Sequence, residues 1–154
     1  KNSSSKNFAT AQPGHFWSRS LWDRVGNLNE KYHFCMDLDW MLRALAVGSH
    51  PVFVLDEIAC LRQQPASKTM SRPWEFGIEK ARIFFDLGLS GVLNFSNAIS
   101  VSRRYASRSL RDKSDALFKD GERFKSLLMV ILAWLFSSQK LGGSFGSRAK
   151  RFFV

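Results

Sequence analysis

A chain of 154 residues with 45% hydrophobic and 14% aromatic side chains holds enough apolar material for one packed domain, which excludes disorder as its organising state. Lys and Arg outnumber Asp and Glu by 23 to 13, a formal net charge of +10. That balance suits an anionic partner, whether phosphate, nucleic acid or lipid surface, and does not choose among them. The two cysteines, Cys35 and Cys60, have no short Cys/His spacing, so neither a disulfide scaffold nor a structural zinc site organises the fold. Reduced, buried thiols are expected.

The chain opens at Lys1 on a Ser/Asn/Lys-rich stretch with no apolar segment behind it. No secretory signal is recognisable there, and the opening suggests a piece of something longer. The longest uninterrupted apolar run, residues 127–136, has ten residues, whereas a transmembrane helix needs roughly 20. Charge is unevenly spread: residues 1–100 carry 11 basic and 9 acidic side chains, residues 101–154 carry 12 and 4.

In chain order, Ser18 offers a hydroxyl cap to a short helix with Leu21, Trp22 and Val25 apolar, and Gly26 ends it. A second helix begins near Asp37 or Asp39, places Leu38, Met41, Leu42, Leu45 and Ala46 on one face, and stops at Gly48. Its acidic first turn suits the helix dipole. Pro51-Val52-Phe53-Val54-Leu55 reads as a short β-rich run, and residues 58–61 as its continuation or a neighbouring strand. After a polar loop over residues 63–69, Ser71 and Pro73 start a helix through Trp74, Ile78, Ala81 and Phe85 that ends near Gly88. Beyond Gly91 the pattern is helical again, with Arg103, Arg104, Arg108 and Arg111 before Asp112, then a helix running through Phe118, Leu127 and Trp134. Gly142, Gly143 and Gly146 break any helix and predict a flexible basic end.

Four landmarks stand in order between residues 12 and 69. They are Gln12-Pro13 before the pair Phe16-Trp17; Val25-Gly26-Asn27-Leu28-Asn29-Glu30; Met36-Asp37-Leu38-Asp39-Trp40-Met41-Leu42-Arg43; and Leu61-Arg62-Gln63-Gln64-Pro65-Ala66-Ser67-Lys68-Thr69. Over roughly residues 9–70 this order resembles the second half of the catalytic domain of GT-A-fold, family-two glycosyltransferases. The resemblance implies an α/β fold: the acceptor-side half of a Rossmann-like domain with one or two strands, followed by a helix-rich C-terminal region. The expected division is residues 1–70 as the catalytic part, 71–141 as a helical extension and 142–154 as the flexible tail.

The resemblance also implies a reaction, inverting transfer of a sugar from a nucleotide-sugar donor to a hydroxyl of a saccharide or lipid-linked acceptor. By its place in the acidic motif, Asp37 corresponds to the family's catalytic base, which takes the acceptor hydroxyl's proton. On residue chemistry alone, aspartates before an apolar-periodic segment are more often helix caps. Asp39 reads as the cap and is carried, with Gln12, His15, Arg62 and Gln64, among the residues expected near the substrates. Met36 stands where the family usually has Glu, and Gln64 where it often has His, a better metal ligand. The family's Mn²⁺ or Mg²⁺ is expected from its nucleotide-binding half, which has no counterpart in these 154 residues, so no metal ligand is assigned.

Trp40, Leu42 and Leu45 read as core packing, and Arg43 as a local partner of Asp39 at i,i+4. Neither cysteine has a nearby His to activate it as a nucleophile. Residues 123–140, basic at the ends and apolar between, suit a membrane interface or a buried helix. The expected location is cytoplasmic, with peripheral attachment at the inner membrane face. The competing reading is a basic helical module without catalysis, binding a membrane surface or nucleic acid; no nucleic-acid-binding motif supports the latter.

Overall fold

A computed structural model describes residues 12–54, 56, 58–60, 64 and 67–137. After a single 3-10 turn at Gln12–Gly14 come helices α1 (Arg19–Val25), α2 (Met36–Ala46), α3 (Lys68–Ser71), α4 (Pro73–Leu89), α5 (Phe95–Lys119) and α6 (Arg123–Phe136). Among the described residues none is long and apolar enough to cross a membrane.

Local chemistry accounts for several helix ends. The Ser18 hydroxyl accepts from the Leu21 N–H at 3.2 Å, and Gly26 closes α1 at a φ of 81° while its N–H reaches the Trp22 carbonyl at 2.8 Å. Pro73 starts α4, where a missing N–H costs no helical hydrogen bond, and the Asn94 side chain caps α5. Lys68–Ser71 turns the end of the expected polar loop into one helical turn.

The expected α/β architecture is corrected: the described residues are all helical apart from loops, and no Rossmann-like strand is present among them. Residues 51–54 and 58–60 form no ladder, and Val52, Phe53, Val54 and Ile58 are exposed. Their β-rich composition supplies propensity only. A strand also needs a neighbour to pair its N–H and C=O groups, and a lone short run does not hold by itself.

A second correction concerns the helix expected to run through Phe118 and Leu127. It is two helices, and Asp112 lies inside the first. Gly121, at a φ of 80°, lets the Glu122 N–H fold back onto the Leu117 carbonyl at 2.9 Å and ends α5.

Helices α4, α5 and α6 form two successive antiparallel hairpins whose interfaces are built from small residues. Gly88 faces Ala98, Gly77 faces Ser109, and Ser102 donates to the Ala81 carbonyl at 2.7 Å. Between α5 and α6, Ser107 donates to the Ala133 carbonyl at 2.8 Å, and the buried hydroxyls of Ser114 and Ser126 meet at 3.0 Å. The buried hydroxyls of Ser107, Ser114 and Ser126 are thereby satisfied. A cluster of Tyr32, Cys35, Ile83 and Leu87, flanked by Phe34, Met36, Leu38, Leu42 and Phe76, packs α2 and the segment before it onto α4. Cys35 is buried there, whereas Cys60 is exposed, contrary to expectation.

Candidate functional site: the start of α2 and its aromatic cleft

Helix α2 carries Asp37 and Asp39 in its first turn, and the two carboxylates have different fates. Asp39 is only 1% exposed and accepts from Arg43 Nε at 2.9 Å. The same guanidinium donates to the carbonyls of Val25 at 2.7 Å and Asn27 at 2.8 Å. Asp39 therefore holds Arg43, and Arg43 holds the turn after α1. The i,i+4 pairing matches the spacing in the sequence, and its product is a rigid scaffold with the Asp39 carboxylate closed to a substrate.

Asp37 is half-buried, and its Oδ1 accepts from the Leu38 N–H at 2.8 Å. What fixes the start of its helix lies on α4. The N-cap residue Cys35 makes no side-chain cap, and Glu79 of α4 takes that place. The Glu79 carboxylate accepts from three consecutive backbone N–H groups: His33 at 2.6 Å, Phe34 at 2.5 Å and Cys35 at 2.6 Å. A carboxylate at a helix N-terminus is also favoured by the dipole, so charge and hydrogen bonding act together. Tyr32 adds a second tie, its hydroxyl donating to Asp86 at 2.8 Å; burial foremost, then that hydrogen bond, raises its pKa above the ordinary tyrosine value. Lys68 Nζ of α3 lies 2.9 Å from His33 Nε2 on the approach to α2.

From the same helix a cleft of about 690 Å³ opens, within the range of ligand pockets, lined among others by His15, Trp17, Trp40, His50, Phe53 and Asp56. Three clustered indoles order one wall: Trp17 leans on Trp40 with ring centroids 4.7 Å apart and planes 36° apart, and Trp22, behind the lining, stacks on Trp40 at 5.5 Å. Trp40 Nε1 donates to the Gly26 carbonyl at 2.8 Å, which sets the plane of its ring. Trp17 remains 41% exposed and offers an aromatic face to the cleft.

Of the residues expected near substrates, His15 lines the cleft. Asp37 lies one turn before Trp40 on α2 without lining it, and Asp39 is closed off by Arg43. Gln64 is exposed in the loop before α3. Gln12 opens the 3-10 turn, and Arg62 lies outside the described residues. Trp40 is buried, as expected, and also lines the cleft; Leu45, expected in the core, is exposed and lines the cleft, while Leu42 packs against the core cluster. The Glu79 clamp and the Lys68–His33 contact were not expected: their partners are 35 to 46 residues apart, beyond any local pattern.

The resemblance implies Mn²⁺ or Mg²⁺, and the described residues do not fit such an ion. No three His, Cys, Asp or Glu side chains among them converge, and Asp39 is committed to Arg43. No family model matches the sequence, and no curated protein or solved structure matches it.

Proposed function

We propose that this chain carries the acceptor side of a nucleotide-sugar-dependent, inverting glycosyltransferase acting in polysaccharide or glycolipid synthesis. The observation that carries the reading is the placing on α2 of a half-buried, backbone-bonded carboxylate, Asp37, one turn before Trp40, which lines an aromatic cleft. A sugar ring has apolar C–H faces and a rim of hydroxyls. The flat faces suit Trp17 and Phe53, and the rim suits His15, His50 and Asp56.

In the reaction, an acceptor hydroxyl oxygen bonds to the anomeric carbon of the donor as the bond from that carbon to the diphosphate oxygen breaks. The nucleoside diphosphate leaves with that bond's electron pair, and the hydroxyl proton passes to the Asp37 carboxylate. A base in place is typically worth 10²–10⁴-fold in rate. Glu79 serves this step indirectly, holding the start of α2 so that the carboxylate keeps one position. On this reading the protein works in the cytoplasm, beside its nucleotide-sugar donor, with peripheral attachment at the inner membrane face.

The test is a transfer assay on the full gene product with a panel of nucleotide sugars and saccharide or lipid-linked acceptors. A product of inverted anomeric configuration supports the reading. Retention, or no transfer with any pair, contradicts it.

A further inference from the structure

Helix α6 is turned inside out relative to an ordinary surface helix. Its side toward α5 is made of Ser126, Val130 and Ala133, all buried. Its opposite side carries Phe124, Leu128, Ile131 and Leu135, which recur at helical spacing and are 81%, 44%, 42% and 58% exposed. A helix with its small and hydroxyl residues at the protein contact and its large apolar residues outward has its apolar solvent on the outside.

The charges around this ridge indicate which solvent. Arg123 and Lys125 stand at its start, where Lys125 also pairs with Glu122 just before the helix at 2.5 Å while both its side chain and that of Arg123 remain exposed, and α6 itself contains no acidic residue. At its other end the Arg103 guanidinium of α5 reaches the Ser137 carbonyl at 3.4 Å. Together α5 and α6 carry eight Lys or Arg and two Asp. Trp134, also partly exposed, stands near the C-terminal end, a ring suited to the level of lipid headgroups. With 14 residues the helix is about 21 Å long, too short to span a bilayer upright but able to lie along one.

We propose that the outer ridge of α6 docks this protein on an anionic lipid bilayer, in the plane of the interface. Phe124, Leu128, Ile131 and Leu135 enter the boundary between headgroups and acyl chains, and Arg123, Lys125 and Arg103 meet lipid phosphates at the two ends. The docking site is independent of the catalytic reading and survives its failure.

The experiment is vesicle flotation of the 154-residue chain with phosphatidylcholine vesicles, with and without phosphatidylglycerol. The wild-type chain is expected to float with the anionic vesicles. The pair Leu128→Glu and Ile131→Glu lowers partitioning on the order of 100-fold, from the lost burial of two large apolar side chains. Arg123→Gln with Lys125→Gln lowers it about tenfold. Far-UV circular dichroism checks that helix content is kept; if the acidic pair loses it, Ile131→Ser reads the same ridge with a milder change. Undiminished flotation of the folded ridge variants overturns the proposal, because binding is then charge adsorption alone. So does a wild-type chain that ignores anionic vesicles, or a reversible dimer in sedimentation that the ridge variants abolish, which would make a second copy the occupant.

Discussion

Cys35 and Cys60 are the same residue type in opposite surroundings. Burial, the largest influence, pushes the Cys35 thiol up to about 12 from an ordinary 9, while Cys60 is open to solvent. A thiol reagent at mildly alkaline pH should therefore label Cys60 in the folded protein and reach Cys35 only on unfolding. The same shift has a thermodynamic consequence of definite sign. The unfolded chain gives up the Cys35 proton near pH 9 and the Tyr32 proton near pH 10, whereas the folded chain retains both well above those values. Between them the folded state binds more protons, so stability is complete below pH 9 and is lost as pH rises from there. Urea midpoints should be level to about pH 9 and fall above it; midpoints level to pH 11 would contradict the burial of both groups.

Among the helices, close approach is set by what is missing rather than by bulk. A Cβ built on Gly88 would lie 2.7 Å from the Ala98 Cβ, so α4 and α5 depend on glycine at that crossing. Gly88→Ala gains about 1 kcal/mol of helix propensity and loses roughly 1–3 kcal/mol to overpacking. The expected net outcome is a less stable protein by urea denaturation; a more stable one would show that the helices separate freely there. Several helix ends are legible from local chemistry, as at Ser18, Gly26 and Pro73. The break at Gly121 was not read, because the apolar residues on either side keep a helical rhythm across it. The β-rich run at residues 51–54 misled for the complementary reason: propensity is local, while a ladder partner is not.

Across the whole molecule, the α4–α5–α6 hairpins brace a small unit made by α1, α2 and the cleft. The joint is Glu79, and its three hydrogen bonds connect elements more than 40 residues apart. Glu79→Ala leaves three donors at the start of α2 without that acceptor and should cost on the order of 2–3 kcal/mol. Amide exchange of His33, Phe34 and Cys35 should accelerate ahead of the rest of α2. Exchange unchanged at these three amides would mean that other groups hold the turn. The helix that carries Asp37 and the Asp39–Arg43 pair were legible from local pattern and i,i+4 spacing; Asp37 and His15 were singled out only through the resemblance, and of the two His15 lines the cleft. The clustered indoles and the clamp arise only when α1, α2 and α4 are brought together.

The measurement that bears most directly on the catalytic role of Asp37 is steady-state transfer by the full gene product carrying Asp37→Asn, read together with donor affinity. Asn keeps the shape and the hydrogen bond from the Leu38 N–H but removes the proton acceptor. Turnover should fall about 100-fold or more while nucleotide-sugar binding is unchanged. Undiminished turnover would contradict the role assigned to Asp37, leaving it a helix-start carboxylate like Asp39.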